Sequence, residues 1–567
     1  MVAALFLSRV ALEIWAWWAG SGVLWYVAGG CVVGFGGLGW WLGGRWQGVS
    51  RWLWLLGVYV VFPEMDFRVA VVTAVFVALL LFLSALPFSK SLPYWFVLGA
   101  TAVFFLILYT LTLAPDLLPA DNGEFQLIAA NLGVAHPPGF PLYTILAHLM
   151  TRLPIPATPA FKVNLFSVLT STLTLAILYH LVYQLTQKHI AAITAVFTLG
   201  TATTFWAQAT TANIRSLTGL FTILALYVLI HWQTTPQPQH SDRALLVFIT
   251  IISLGIAHHA SLVFMGVWFG ICVLWRNPAY WLKPRHWIRP FLATLPALLP
   301  LFYLPWRATA GARGATPGLL TLPGFLNHVL ALGFRGDFFY FRQPAILWER
   351  FKVMGNVLTF QFSPWLILAM CLGFLLMWRQ DRWLTFLLGG AFAIHTFITA
   401  TYRAPQTVEY MLPAYIPLAI SLGYAAGQLT IFIRQQNLTP LWQTGLLLAA
   451  LWQGWQHFPS FAWQHTDHSI RDYTQPLLQT APPDAIILAD WHWATPLWYL
   501  QEVEGQRPDV EIRFVFPTGE PYAETWARRI REELTNGRSV IATHYNQDAY
   551  ATLPPPEPLA AAFLFRQ

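Results

Sequence analysis

Apolar runs of about 20 residues, each long enough to cross a bilayer as a helix, recur along the first 456 residues and dominate what this chain can become. They are read at 20–44, 66–86, 94–114, 161–185, 190–208, 212–232, 288–305, 355–378, 383–402, 409–432 and 439–455, with shorter runs at 3–18, 51–63, 244–258 and 260–275. Backbone inside lipid must satisfy its own hydrogen bonds, so such runs predict helices. Only 10% of the 567 residues are charged and the mean hydropathy is +0.53, against about 25% charged in a soluble domain. An ordinary soluble enzyme is excluded, and a polytopic α-helical membrane protein of about 13–15 spans is expected.

The few charges divide the chain. Eleven of the 25 acids lie in residues 1–456, with 24 of the 32 Lys and Arg, so this part carries +13 and the remainder −6. We read a membrane body followed by a water-soluble tail, 457–567. The formal net charge of +7 then reflects basic membrane flanks, and no nucleic-acid motif accompanies it. Cys31, Cys272 and Cys371 sit in apolar runs, where packing explains them better than disulfides or metal ligation. The N-terminal segment lacks the order of a cleavable signal, so uncleaved spans are expected to direct insertion.

Basic residues in short loops mark the cytoplasmic side. Arg276, Lys283, Arg285 and Arg289 crowd one acid-free loop, and Lys90, Lys188, the stretch around Arg243, the Arg379–Arg382 turn and Arg434 fall on the same side. Residues 115–160, 209–211, the His258–His259 turn, 306–354, 403–408 and everything after 456 are then expected outside. Most acids of the body lie in or beside these outer loops.

The first outer loop, 115–160, is longer than two spans need, and long ordered loops are usually functional. Asp121, Asn122, Gly123 and Glu124 precede an apolar pattern at helical spacing (Phe125, Leu127, Ile128, Leu132), with Gly133 suited to the helix end. A capping box, with Asp121 as N-cap and Glu124 three residues on, explains the pair structurally. Two carboxylates beside a bilayer are nevertheless costly unless used. His136-Pro-Pro-Gly139 enforces an extended segment.

Asp121-Asn-Gly-Glu124, Gly133-Val-Ala-His136-Pro-Pro-Gly-Phe-Pro-Leu-Tyr143 and Asn164-Leu-Phe-Ser167 together resemble the signature of the transmembrane protein 260 family, protein O-mannosyltransferase-like membrane proteins. Weaker similarities follow at Gly255–His259, Tyr303–Arg307, Glu409–Tyr415 and Asp490–Asp509. The resemblance starts near residue 94 and leaves 1–90 as additional N-terminal spans before a catalytic body, 91–456. It implies a GT-C-like fold and transfer of a sugar from a polyprenyl-phosphate donor, with Asp121 as catalytic base and Glu124 beside it. The family-derived expectation is inverting transfer of mannose to a protein Ser/Thr hydroxyl, with a cell-envelope lipid or polysaccharide as the alternative acceptor. A lipid-linked sugar transporter is the alternative of a different class, and the plasma (inner) membrane of a prokaryote is the expected location.

Such a transfer needs a base for the acceptor hydroxyl and a cation for the leaving phosphate. Arg307, Arg313, Arg335, Arg342 and Arg403 are the outer arginines, and Arg307 and Arg403, just beyond span ends, rank first for phosphate. His136, His258 and His259 are candidate substrate-binding groups. The histidine pair alone is too sparse for a metal centre, although Glu124 could help bind a divalent metal; no other cofactor is expected. Asp337 is expected to pair with Arg335. Trp206, Trp306 and Trp491 are possible sugar platforms. In the tail, strands at 485–489, 510–516 and 539–544 alternate with helices near 496–503 and 522–534, predicting a small α/β domain with a parallel sheet. Asp490, at the end of its first strand, is a candidate ligand-binding residue.

Overall fold

The computed structural model describes residues 93–566 except 235–237, 279–286, 405 and 433–438, and before them 2–19, 53–61 and five positions between 69 and 77. The expected span at 20–44, most of that at 66–86, and Lys90, Lys283, Arg285 and Arg434 lie outside the described residues. Among the described residues five helices are long and apolar enough to cross a membrane: Tyr94–Leu111, Pro159–Thr186, Arg215–Thr234, Ile288–Thr309 and Arg382–Thr401. Two bent pairs bring the total to as many as seven.

Those bent pairs correct two expected spans. The run at 355–378 is not one helix: Pro344–Gln361 and Pro364–Gln380 meet at 109°. Ser363 precedes a proline and is extended (φ −62°, ψ 151°), which stops the first helix, and Pro364 starts the second. The run at 190–208 bends by 76° between His189–Gly200 and Thr203–Ala209, where Ala202 turns extended at ψ 135°.

The loops expected on one side of the bilayer meet at one end of the helical body. Ala114 N donates to Thr210 O (3.0 Å), Arg403 N donates to Asp337 O (3.0 Å), and Phe140 stacks on His259 at 6.1 Å. The tail joins them: Gln464 Nε2 donates to Thr210 Oγ1 (3.0 Å) and His465 Nδ1 to Leu113 O (2.8 Å). At the opposite end Lys188 Nζ donates to Gly427 O (2.7 Å).

The C-terminal domain is a five-stranded sheet in the order β2-β1-β3-β5-β4, comprising β1 (Ile486–Ala489), β2 (Glu511–Phe514), β3 (Val540–Ala542), β4 (Glu557–Leu559) and β5 (Ala562–Phe565). β1 pairs parallel with β2 and β3, as expected, whereas β5 joins β3 and β4 antiparallel. The added hairpin eluded the sequence pattern because three residues including a proline are too few to register an alternation. Side chains alternate across the strand: Ile487 and Ala489 pack with Leu497 and Leu500 of the helix Trp491–Glu502, while Ile486 and Leu488 pack with Trp526 and Ile530 of the helix Tyr522–Thr535.

The helix Ala120–Asn131 lies between the two bodies. Its Phe125 and Ile128 join the membrane-body core with Phe140 and Tyr143, and its Leu127 joins the C-terminal core with Leu497 and Leu500. A helix buried on opposite faces has little freedom to shift, so whatever it carries is held from both sides.

Candidate functional site

The first-loop helix does not open with a capping box. Pro119 occupies the N-cap, no side chain caps the end, and Asp121 lies within the first turn. Asp121 therefore keeps its carboxylate free for partners from elsewhere, and Glu124 reaches across to the following loop. Glu124 Oε1 accepts from the His136 backbone N–H (2.8 Å) and Oε2 from His136 Nδ1 (2.5 Å). At the helix end the left-handed residue is Leu132 (φ 53°), with Gly133 N donating back to Ile128 O (2.9 Å).

Below this turn, two buried amides fix the loop. Gln126 Oε1 accepts from Leu118 N (2.9 Å), and its Nε2 donates to Asp116 O and Asn164 Oδ1, both at 3.0 Å. Asn164 Nδ2 donates in turn to Ala114 O (2.9 Å), while Oδ1 also accepts from Ala212 N (3.1 Å). Asn164 is thus a clamp that satisfies otherwise orphaned backbone groups. Gly123 answers a different demand: a Cβ there would stand 2.3 Å from Leu118 O and 2.6 Å from Thr495 Oγ1. Gly123→Ala is expected to cost about 1–3 kcal/mol, read as a lowered Tm of the detergent-solubilised protein.

Burial pushes the His136 imidazolium toward the neutral form, but the Glu124 carboxylate, by charge and hydrogen bond, with Asp121 behind it, outweighs this and raises the pKa from 6.5 to about 9. A raised histidine pKa stabilises the fold fully below the unfolded value and loses that contribution as pH rises through the folded one. Wild-type Tm is therefore expected to fall more steeply than that of His136→Gln from about pH 6.5 to about pH 9. Parallel curves would refute a charged pair.

Asp121 accepts from two side chains. Trp491 Nε1 donates to Oδ1 (2.8 Å), and Gln406 Nε2 reaches Oδ2 at a loose 3.5 Å. The same Gln406 accepts through Oε1 from Arg215 Nη2 (2.5 Å). Arg215 is 7% exposed, pairs with Glu409 (2.7 Å) and lies over the Tyr410 ring at 4.9 Å; its Nε has no hydrogen-bond partner among the described residues. Sequence reasoning missed Arg215 and Gln406. The available signal was the charge itself: a guanidinium inside the apolar run at 212–232 is expensive and hence conspicuous.

The other candidates are placed as follows. His258 is buried and donates Nε2–H to Ile214 O (3.0 Å); His259, also buried, pairs with Ser261 Oγ (2.7 Å) and faces Tyr410 at 6.1 Å. His258 thus meets the residue before Arg215, and His259 faces the Tyr410 ring over which Arg215 lies. Arg307 Nε donates to Leu132 O (2.7 Å), at the far end of the first-loop helix from Asp121. Arg403 pairs with Asp337 (2.7 Å) and lies over Tyr340 at 4.4 Å, so the partner of Asp337 is Arg403 and not Arg335. Arg313 pairs with Glu502 of the C-terminal domain (2.6 Å) over the Trp498 ring. Asp490 caps the helix Trp491–Glu502 by accepting from Trp493 N (3.3 Å), and its neighbour Trp491 is the residue that reaches the acid. Trp206 is fully buried, stacked on Phe461 at 4.6 Å with its N–H on Thr112 (2.9 Å), which is a packing role.

One oxygen or nitrogen from each of Asp121, Glu124 and His136 lies within 4.8 Å of the others. Two carboxylates and an imidazole are a donor set that suits a divalent cation. A metal would have to replace the proton that Glu124 and His136 share.

Residues 121–282 match the family described as "Protein O-mannosyl-transferase TMEM260 N-terminal domain". The Protein O-mannosyl-transferase TMEM260 of Mus musculus is 27% identical over 448 residues, 73% of this chain and 62% of that one. Its Dictyostelium discoideum counterpart is 24% identical over 140 residues, 24% of this chain and 17% of the other. The chain thus spans less than two thirds of the length of these relatives. Among solved structures, ArnT from Cupriavidus metallidurans matches in its form bound to undecaprenyl phosphate (TM-score 0.56, 10% identity) and in its apo state (TM-score 0.53, 12% identity). Each comparison covers 82% of this chain and 97% of ArnT. The chain is accordingly similar in sequence to the TMEM260 family, and it is a membrane protein of GT-C-like fold with a small C-terminal domain.

Proposed function

We propose that this protein is a membrane glycosyltransferase that moves a sugar, mannose, from a polyprenyl-phosphate donor to a protein Ser or Thr hydroxyl at the extracytoplasmic face, with inversion. The observation that carries the proposal is the half-buried Asp121 carboxylate, bridged through Gln406 to the buried guanidinium of Arg215. A base and a cation side by side are what a displacement at an anomeric carbon needs. Sequence similarity to proteins named O-mannosyl-transferases and fold likeness to a protein solved with undecaprenyl phosphate support the sugar and the donor class.

In this mechanism Asp121 takes the proton of the acceptor hydroxyl as its oxygen attacks the anomeric carbon. The bond from that carbon to the phosphate oxygen breaks, and the polyprenyl phosphate leaves with the electron pair. Arg215 takes the phosphate role because Gln406 links it to Asp121, whereas Arg307 meets Leu132 O at the far end of the first-loop helix and Arg403 is paired with Asp337. Its Nε, without a partner among the described residues, leaves one donor for an oxyanion. Glu124 and His136 hold the loop that follows the acid, and His258 and His259 line the layer next to Arg215. A divalent ion held by Asp121, Glu124 and His136 would supply further neutralisation of phosphate charge.

The test gives the protein in nanodiscs radiolabelled polyprenyl-phosphate sugars and an envelope extract. Label should enter protein from the mannose donor and stay absent with Asp121→Asn. Label in glycolipid or polysaccharide would reassign the acceptor. Movement of the sugar lipid across the bilayer without transfer, unchanged by the substitution, would replace the enzyme with a transporter.

A further inference from the structure

We infer that the Trp491 indole N–H, delivered by the C-terminal domain, is the group that orients the Asp121 carboxylate for proton abstraction. The inference rests on the transferase function proposed above. An unrestrained carboxylate rotates about its side-chain bonds and presents either oxygen. Here Oδ1 is held at 2.8 Å by the indole, while among the described residues Oδ2 meets only the loose 3.5 Å hydrogen bond from Gln406. The oxygen left for a substrate proton is therefore Oδ2. An indole N–H is a donor with no acceptor capacity, so it orients the acid without competing for the proton.

The indole is itself fixed. It meets Phe514 edge-on at 5.2 Å and Trp498 at 6.0 Å. One helical turn on, Thr495 Oγ1 donates to Ala120 O (2.9 Å), and one further turn on, Tyr499 OH accepts from Ala160 N (3.0 Å). Residues four apart share one helix face, so Trp491, Thr495 and Tyr499 form a single stripe docked on the first outer loop. Acid and donor are thereby held as one unit. A docking role alone would leave chemistry intact once the domain is folded, whereas orientation affects the turnover step.

Trp491→Phe keeps the ring and deletes the N–H. Its kcat should fall about tenfold to a hundredfold, with donor KM changed by no more than about twofold. Trp491→His, which restores a ring N–H, should recover most of the loss. Independently of turnover, the Tm shifts of Trp491→Phe and Asp121→Ala should be non-additive, as for partners in contact. Wild-type kcat in Trp491→Phe, a loss carried by KM, or additive Tm shifts would each overturn the inference while leaving the transferase function standing. A wild-type protein that transfers no sugar would overturn both.

Discussion

Asp121→Asn is expected to insert, fold and bind donor like the wild-type protein and to lose transfer by about a thousandfold. The amide is nearly isosteric, and its oxygen can still accept from Trp491, so the scaffold is preserved while the base is not. Glu124→Gln provides the contrast. Glu124 spends both oxygens on His136, and removing its charge loosens the loop behind the acid without removing the base; a loss of about tenfold is expected. Single-turnover transfer from a mannose donor separates the two. A larger loss in Glu124→Gln than in Asp121→Asn would reverse the assignment of the base.

Arg215 carries the second large effect, and it divides into stability and chemistry. Arg215→Ala strands Glu409 beside a buried surface, and breaking a buried pair costs about 3–5 kcal/mol. Glu409 keeps 33% of its side chain exposed, so the lower end of that range is expected, read from denaturation in detergent. Arg215→Lys keeps the charge and loses the fork that reaches Glu409 and Gln406 together. This variant should fold yet turn over about a hundredfold more slowly, in keeping with loss of one preorganised donor. If Arg215→Lys folds and turns over normally, the phosphate contact lies elsewhere.

The membrane body was legible because lipid imposes a simple rule on the backbone. Asp121, Glu124 and His136 were legible as a spaced motif and do converge. Asn164 and Gly123 belonged to that motif too, but their work as an amide clamp and as a point of close approach emerges only from contacts with Ala114, Ala212, Leu118 and Thr495. Arg307 and Arg403 illustrate the converse. Position near a span end does not reveal whether a guanidinium is already engaged, and both are. The sharp turns at Ser363 and at Thr201–Ala202 were hidden because an apolar run records burial and not direction.

The donor on Asp121 comes from 370 residues further along the chain. During synthesis the membrane body, with its acid and its arginine, is inserted long before Trp491 exists. A chain cut short between the membrane body and Trp491 retains the acid without this donor. The order of synthesis thus sets when the acid can first meet its donor.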